Sequence, residues 1–218
     1  MLALPLALLF QDEHLLVVDK PAGLLSVADE RSGTGSVPGE LARQGIEARP
    51  VHRLDRDVSG VLLLARSAEA LAALQDLFRD AGLRKTYWGL ATGRLEPPEG
   101  KLAFPILEEP GGARVSARGK PARTLYRTLA AFRDASELEL ELVTGRKNQI
   151  RVHLAHAGHP LVGERKYARG RESSAGLRPR RLALHAWRLA FEHPWSHERL
   201  ELEAPLPADL VELRERAR

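Results

Sequence analysis

The sequence predicts an α+β fold, a mixed, mainly antiparallel central sheet with flanking helices and loops, held in a single domain over residues 1–218. Three observations predict it. Paired strand-like segments outnumber crossover helices along the chain. Residues 137–142 alternate Glu with Leu, the period of a strand with one buried and one wet face. A length of 218 residues at 44% hydrophobic content supplies enough apolar material for one large core.

The elements follow in order. Segments 7–11 and 15–19 read as two short strands around the polar turn Asp12-Glu13-His14, with Lys20-Pro21-Ala22-Gly23 turning the chain afterwards. Residues 26–39 are rich in Gly, Ser and Pro and read as a flexible surface loop. The apolar run 61–65 is a buried strand. Ser67 caps a helix from Ala68 to about Ala81, with Leu71, Leu74, Leu77 and Phe78 on one face and Gly82 as the stop. A strand over 85–91 leads into a turn-rich connection over 93–100, and the basic stretch 111–121 reads as a hairpin or arch. Segments 124–131 and 137–143 form an antiparallel pair around Arg133-Asp134-Ala135-Ser136. A short helix over 149–157 is closed by Gly158 and Pro160, strands follow at 182–191 and 199–203, and a helix over 208–218 ends the chain.

Composition narrows the chemistry. The absence of cysteine excludes disulfides, thiolate catalysis and cysteine-held metal clusters. The apolar start, residues 1–10, lacks a basic leader, contains Pro5 and runs into Gln11-Asp12-Glu13, so it reads as a first strand and not as a signal peptide. No segment reaches the length of a membrane span, and a cytoplasmic monomer without membrane contact is expected. Net charge is only +4, but the arginines are unevenly placed. Arg114, Arg118, Lys120, Arg123 and Arg127 share an acid-free stretch, and Arg165, Lys166, Arg169, Arg171, Arg178, Arg180 and Arg181 crowd another. Such loops suit a polyanion such as RNA, although arginine also serves plain solubility.

One stretch concentrates the chemistry. His52-Arg53-Leu54-Asp55-Arg56 sets a carboxylate between two arginines, just before the buried strand at 61–65. A group where a loop enters a packed scaffold is well placed for catalysis, and flanking positive charge favours its ionised form. A surface loop with a local Asp–Arg pair is the plainer alternative. Tyr87 and Lys85 share one face of their strand, where Tyr87 is either core packing or a ring for a base with a hydroxyl for proton transfer. Gly145-Arg146-Lys147-Asn148 precedes a helix start, a segment able to hold phosphate, yet without the second glycine and Lys-Ser/Thr of a nucleotide loop. His153, His156 and His159 invite a metal reading, but Gly158 and Pro160 break the helix before His159 and no carboxylate stands at the spacing of a zinc protease motif. No metal site is expected.

Taken together, these segments resemble the RluA family of pseudouridine synthases over nearly the whole chain. The resemblance rests on Asp12 to Gly23, on His52-Arg53-Leu54-Asp55 with Ser59-Gly60, and on Lys85-Thr86-Tyr87. It continues through Gly119-Lys120-Pro121-Ala122-Arg123-Thr124, through Gly145 to Gly163, and through Leu184-His185-Ala186 with His193-Pro194, all in the family's order. It implies the pseudouridine synthase catalytic fold without the accessory N-terminal RNA-binding domain that many relatives carry. It implies Asp55 as catalytic aspartate, Tyr87 as active-site tyrosine, Arg151 as the basic residue paired with the aspartate, and Arg53 as the side chain that replaces a flipped uridine. His52, Arg56, Arg114, Arg118, Lys120, Arg146, Lys147 and Asn148 complete the expected RNA contacts. Three departures stand out: Val58 where threonine is commoner, Lys147-Asn148 where Thr-His is common, and Gly163-Glu164 where Gly-Asp is usual.

The implied reaction turns uridine into pseudouridine in transfer RNA, large-subunit ribosomal RNA or both. An isomerisation needs no cofactor. Two other classes are set against it: a non-catalytic RNA-binding protein on the same fold, and a metal-dependent hydrolase built on the histidine trio.

Overall fold

A computed structural model describes residues 6–29, 35–79, 83–168 and 175–218. The chain begins with β1 (Ala7–Gln11), β2 (Leu15–Lys20), α1 (Val37–Arg43), β3 (Arg49–Pro50), β4 (Ser59–Ala65) and α2 (Ala68–Arg79). It continues with β5 (Arg84–Thr92), β6 (Glu99–Leu102), β7 (Ile106–Glu109), β8 (Gly112–Val115), β9 (Thr124–Ala131) and β10 (Ala135–Leu142). The last elements are α3 (Gln149–Ala157), β11 (Leu184–Glu192), β12 (Arg199–Glu203) and α4 (Ala208–Ala217). The fold is α+β with mainly antiparallel strands, as the sequence predicts. No helix among the described residues is long and apolar enough to cross a membrane.

Two compact units divide the chain: Met1–Arg84 with Ala186–Pro205, and Lys85–His185 with Leu206–Arg218. In the first, β2 pairs antiparallel with β1 on one side and β4 on the other, in the register Val17↔Leu63 and Leu15↔Ala65. All seven residues of β4 are buried, which explains its unbroken apolar run. Leu15, Val17, Val61, Leu63, Leu74, Leu189 and Phe191 form the core. Helix α2 meets that core with the predicted face, Leu71, Leu74, Leu77 and Phe78, and the Ser67 hydroxyl caps it by accepting from Ala70 N–H at 3.0 Å. Fully burying Leu74 is worth roughly 1.5–3 kcal/mol, and the partly buried Leu71, Leu77 and Phe78 each add less. Gly60 has φ +116°, and a Cβ there would lie 2.1 Å from the Ala186 carbonyl oxygen, so only glycine allows this approach.

The second unit runs β5-β10-β9-β6, each neighbouring pair antiparallel, and carries the separate hairpin β7–β8. Leu138 and Leu140 are fully buried, as their alternation predicts. The opposite face of β10 is not uniformly wet, however. Glu137 is only 8% exposed, accepting the Trp88 indole N–H at 2.7 Å, with Arg214 of α4 at 3.8 Å. A helix from the far end of the chain covers it.

The segment 26–39 is not all loop. Ser36 caps α1, its hydroxyl accepting from Gly39 N–H at 3.2 Å, and Pro38 sits in the first turn where no helical N–H is needed. The hairpin expected over 111–121 starts earlier, at Ile106, because Lys120 and Ile106 exchange backbone hydrogen bonds at 2.9 Å across its base. Gly119 permits that closure, since a Cβ there would sit 2.3 Å from the Ile106 carbonyl carbon. The first five residues of the expected first strand, the helix end at Ala81 with Gly82, and the basic Arg169 and Arg171 lie outside the described residues.

Candidate active site and nucleic-acid interface

Asp55 sits in the first unit on an irregular loop that the scaffold grips on both sides. The Ser26 hydroxyl donates to the Leu54 carbonyl and accepts from the Leu54 N–H, both at 2.9 Å. On the other side, Gly23 N–H donates to the Arg56 carbonyl at 2.7 Å. Lys20 is fully buried at the end of β2, and its ammonium donates to the carbonyls of Pro21, Leu24 and Arg56 at 3.0, 2.8 and 3.2 Å. An ammonium has three N–H donors, so these acceptors compensate the cost of taking the charge out of water. The Asp55 carbonyl in turn accepts from Val58 N–H at 3.1 Å, closing a turn over Arg56 and Asp57. A half-buried carboxylate is thereby presented from a loop as fixed as a strand.

The flanking basic residues divide. Arg53 is exposed, and Arg56, also exposed, pairs with Asp57 at 3.3 Å. His52 is committed inward: its Nε2 accepts from Leu63 N–H at 3.1 Å and its ring stacks on Phe78 at 4.6 Å.

Tyr87 and Arg151 belong to the second unit. Tyr87 lies half-buried on β5 opposite Leu140, on the same strand face as Lys85, while Thr86 and Trp88 are buried on the other. Desolvation by burial lowers the pKa of the Lys85 ammonium. Arg151 projects from the first turns of α3 and forks onto Glu164, Nε to Oε2 at 2.7 Å and Nη2 to Oε1 at 2.9 Å. Burial alone would raise the pKa of Glu164, but the Arg151 guanidinium and the N–H groups of Lys166 and Tyr167 outweigh it and hold the carboxyl below its usual range. An Arg–carboxylate fork of this kind is among the strongest side-chain pairings.

A polar chain anchors α3 from below. Gln149 Nε2 donates to Thr124 Oγ1 at 3.0 Å, Thr124 Oγ1 lies 3.0 Å from His153 Nδ1, and His153 Nε2 lies 2.9 Å from the Phe104 carbonyl. A carbonyl only accepts, so Nε2 carries the proton and Nδ1 accepts from the threonine. Burial lowers the pKa of His153, keeping it neutral. His159 Nδ1 points elsewhere, 2.9 Å from the Thr92 carbonyl, and among the described residues no group of three potential ligands converges.

The other expected RNA contacts cluster around the hairpin and the start of α3. Arg118 and Lys120 are exposed, and Arg114 is exposed with Glu109 at 2.8 Å. Arg146 Nε donates to the Pro121 carbonyl at 3.2 Å, and Lys147 reaches Glu108 through its N–H and the Glu109 carbonyl through its ammonium, each at 3.2 Å. Asn148 takes the left-handed conformation, φ +54°, and its Oδ1 accepts from the Tyr167 hydroxyl at 2.7 Å. Lys147 and Asn148 therefore have internal partners as well as their place on this face. Lys20, Ser26, Glu164 and Tyr167 support these candidate residues, and sequence reasoning assigns them no part in the site. A lysine closing an apolar strand just before Pro-Ala-Gly and the departure at Gly163-Glu164 are the local signs of them.

Residues 14–156 match the family model described as RNA pseudouridylate synthase. The chain is 39% identical to Ribosomal large subunit pseudouridine synthase D of Nitrosomonas europaea, covering 97% of this chain and 65% of that protein. It is 37% identical to Ribosomal large subunit pseudouridine synthase C of Escherichia coli, covering 95% and 69%. The chain thus spans about two thirds of the length of these relatives. Among solved structures, human RNA Pseudouridylate Synthase Domain Containing 4 superposes with a TM-score of 0.80 at 27% identity, covering 97% of this chain and 92% of that one. With the motifs at Asp55, Tyr87 and Arg151 falling within or beside those alignments, the chain belongs to the RNA pseudouridylate synthase family, in its RluA branch.

Proposed function

We propose that this chain isomerises specific uridines of large-subunit ribosomal RNA to pseudouridine, with transfer RNA as a further substrate class. The family match over residues 14–156 carries this reading, and the names of the relatives support the ribosomal substrate. The N1–C1′ bond breaks, the uracil turns, C5 bonds to C1′, the C5 proton leaves to solvent and N1 takes one up. One proton is exchanged with solvent and the composition of the substrate is unchanged, so the reaction consumes no co-substrate.

The target base leaves its stack at a cost of roughly a few kcal/mol. Exposed Arg53, two residues before Asp55, fills the vacated place and holds phosphate. Asp55, ionised, either attacks the sugar or stabilises positive charge developing there. Tyr87 stacks on the uracil and offers a hydroxyl for proton transfer. Arg151 supplies the positive charge that keeps the aspartate ionised. These four roles come from the motifs' resemblance to the family, and the hydrogen-bonded mounting of the Asp55 loop supports that of Asp55. The Arg53, Arg56, Arg114, Arg118 and Lys120 side chains, exposed on their units, supply phosphate contacts, with His52, Arg146, Lys147 and Asn148 shaping the same surfaces.

Ribosomal and transfer RNA transcripts carrying 5-tritiated uridine test the reading, because each turnover releases tritium to water. The wild type is expected to release it from discrete sites and Asp55→Asn to release none while still binding RNA. RNA binding without release by the wild type would instead make this a non-catalytic RNA-binding protein.

A further inference from the structure

Arg151 is held from more directions than an ion pair requires. Glu164, whose side chain is fully buried, takes its Nε and Nη2 hydrogens in the plane of the guanidinium. The Arg151 Cζ lies over the Tyr167 ring, 5.1 Å from its centroid. That ring is fixed in turn: its hydroxyl donates to Asn148 Oδ1 at 2.7 Å, and its N–H donates to Glu164 Oε1 at 3.1 Å. Asn148 stands immediately before α3, and Tyr167 packs on the small core of Ile106, Ala113, Ala122 and Val152. The collar therefore closes on itself, from α3 through Arg151 to Glu164, Tyr167, Asn148 and back to α3.

A guanidinium presents two edges that can grip a carboxylate, one of Nε with an Nη and one of both Nη groups. Glu164 occupies the first. The fork and the ring together fix the guanidinium within its own unit.

We propose that Glu164 and Tyr167 are positioning residues for the reaction, holding the Arg151 guanidinium in the single orientation in which its charge is used. This rests on the reading of Arg151 given under Proposed function. The same pair could serve only to staple residues 163–168 onto α3, and the two roles give different results.

The test combines side-chain NMR with single-turnover kinetics on the full chain. The Arg151 Nε–H signal, assigned by its loss in Arg151→Lys, should be ordered and slow to exchange in the wild type and mobile in Glu164→Gln. At saturating RNA, Glu164→Gln should slow the single-turnover rate by roughly 10- to 100-fold, since a misplacement near 1 Å can cost about that much, with RNA affinity little changed. Tyr167→Phe, which keeps the ring but releases Asn148, should give a smaller loss in the same direction and carries the test if Glu164→Gln does not fold. In an Arg151→Met background, Glu164→Gln should cost no further rate, because there is no guanidinium left to position.

A rate loss that persists in that background, or a wild-type rate in both single variants beside an impaired Arg151→Met, overturns the positioning role alone. Wild-type turnover in Arg151→Met overturns the role of Arg151 and the collar with it. If the wild type forms no pseudouridine, the functional reading fails, and an Nε–H signal already mobile in the wild type would remove the collar as well.

Discussion

The Ser26 hydroxyl satisfies both backbone groups of Leu54, donating to the carbonyl and accepting from the N–H at 2.9 Å each. Ser26 and Leu54 are both buried, so neither backbone group has water to turn to when the hydroxyl is removed. Ser26→Ala should cost about 1–3 kcal/mol of stability, the usual penalty for leaving buried polar groups unmade. The turnover rate should fall while RNA affinity holds, because the residue that follows is Asp55. Denaturant unfolding alongside tritium release checks both, and an unchanged rate would show that the clamp does not serve Asp55.

Tyr87→Phe keeps the ring on β5 and removes only the hydroxyl. RNA affinity should stay near normal and turnover should drop severely, measured as single-turnover tritium release. Equal activity would leave Tyr87 a stacking platform and remove its part in proton transfer.

Arg53→Ala separates flipping from bond chemistry. Its loss should disfavour the flipped base by roughly a few kcal/mol, so the defect should shrink on an RNA whose target uridine is mismatched. Comparing rates on paired and mismatched targets measures this; equal impairment on both would assign Arg53 to supporting Asp55.

RNA affinity should fall steeply with salt as counterions are released from neutralised phosphates. Substituting Arg114, Arg118 and Lys120 together should reduce the slope of log affinity against log salt by about 1–2, from roughly 0.7–0.9 per phosphate contact. Three full contacts would give roughly 2–2.7, and the expected change is smaller because Arg114 already pairs with Glu109. A titration series in potassium chloride decides it, and an unchanged slope would turn the hairpin away from the RNA.

Acid should unfold this protein in two stages. His153 has a folded pKa below its ordinary 6.5 because burial disfavours its charged form. The unfolded chain takes up that proton first, so stability is full above about pH 6.5 and declines below it. Asp12, Glu164 and Asp209 are desolvated, yet hydrogen bonds and their partners His193, Arg151 and Arg181 pull them below their ordinary 3.8, 4.5 and 3.8. Their contribution is present above those values and lost as pH falls through the lower folded ones. Chemical denaturation between pH 3 and pH 8 should show both stages, and Asp209→Asn should soften only the second.

What the sequence discloses follows the range of the interactions involved. Segments 124–131 and 149–157 coincide with β9 and α3, because period and the closing Gly158 are local signals. Helix α1 is hidden because Pro38 and Gly39 read as turn residues, although Pro38 suits a first helical turn. Alternation along β10 separates its two faces correctly, but nothing local announces that Arg214 will come to lie over Glu137. Asp55, Tyr87 and Arg151 stand out in the sequence as candidates because short motifs surround each of them. Glu164 is visible only as a departure from the usual residue, since its fork spans thirteen positions to Arg151 and leaves no period behind.

The chain Gln149–Thr124–His153–Phe104 has a polarity as well as a path. The amide donates to the Arg123 carbonyl as well as to Thr124, and the imidazole is engaged through both nitrogens, so neither can turn over without breaking at least two hydrogen bonds. Substitution at one of these positions therefore has to be answered at its neighbour. Swapping Thr124 for valine should be tolerated better when His153 becomes a residue that asks nothing of it. In descendants of this sequence the pair should drift together, as a single inherited unit spread over two separate elements.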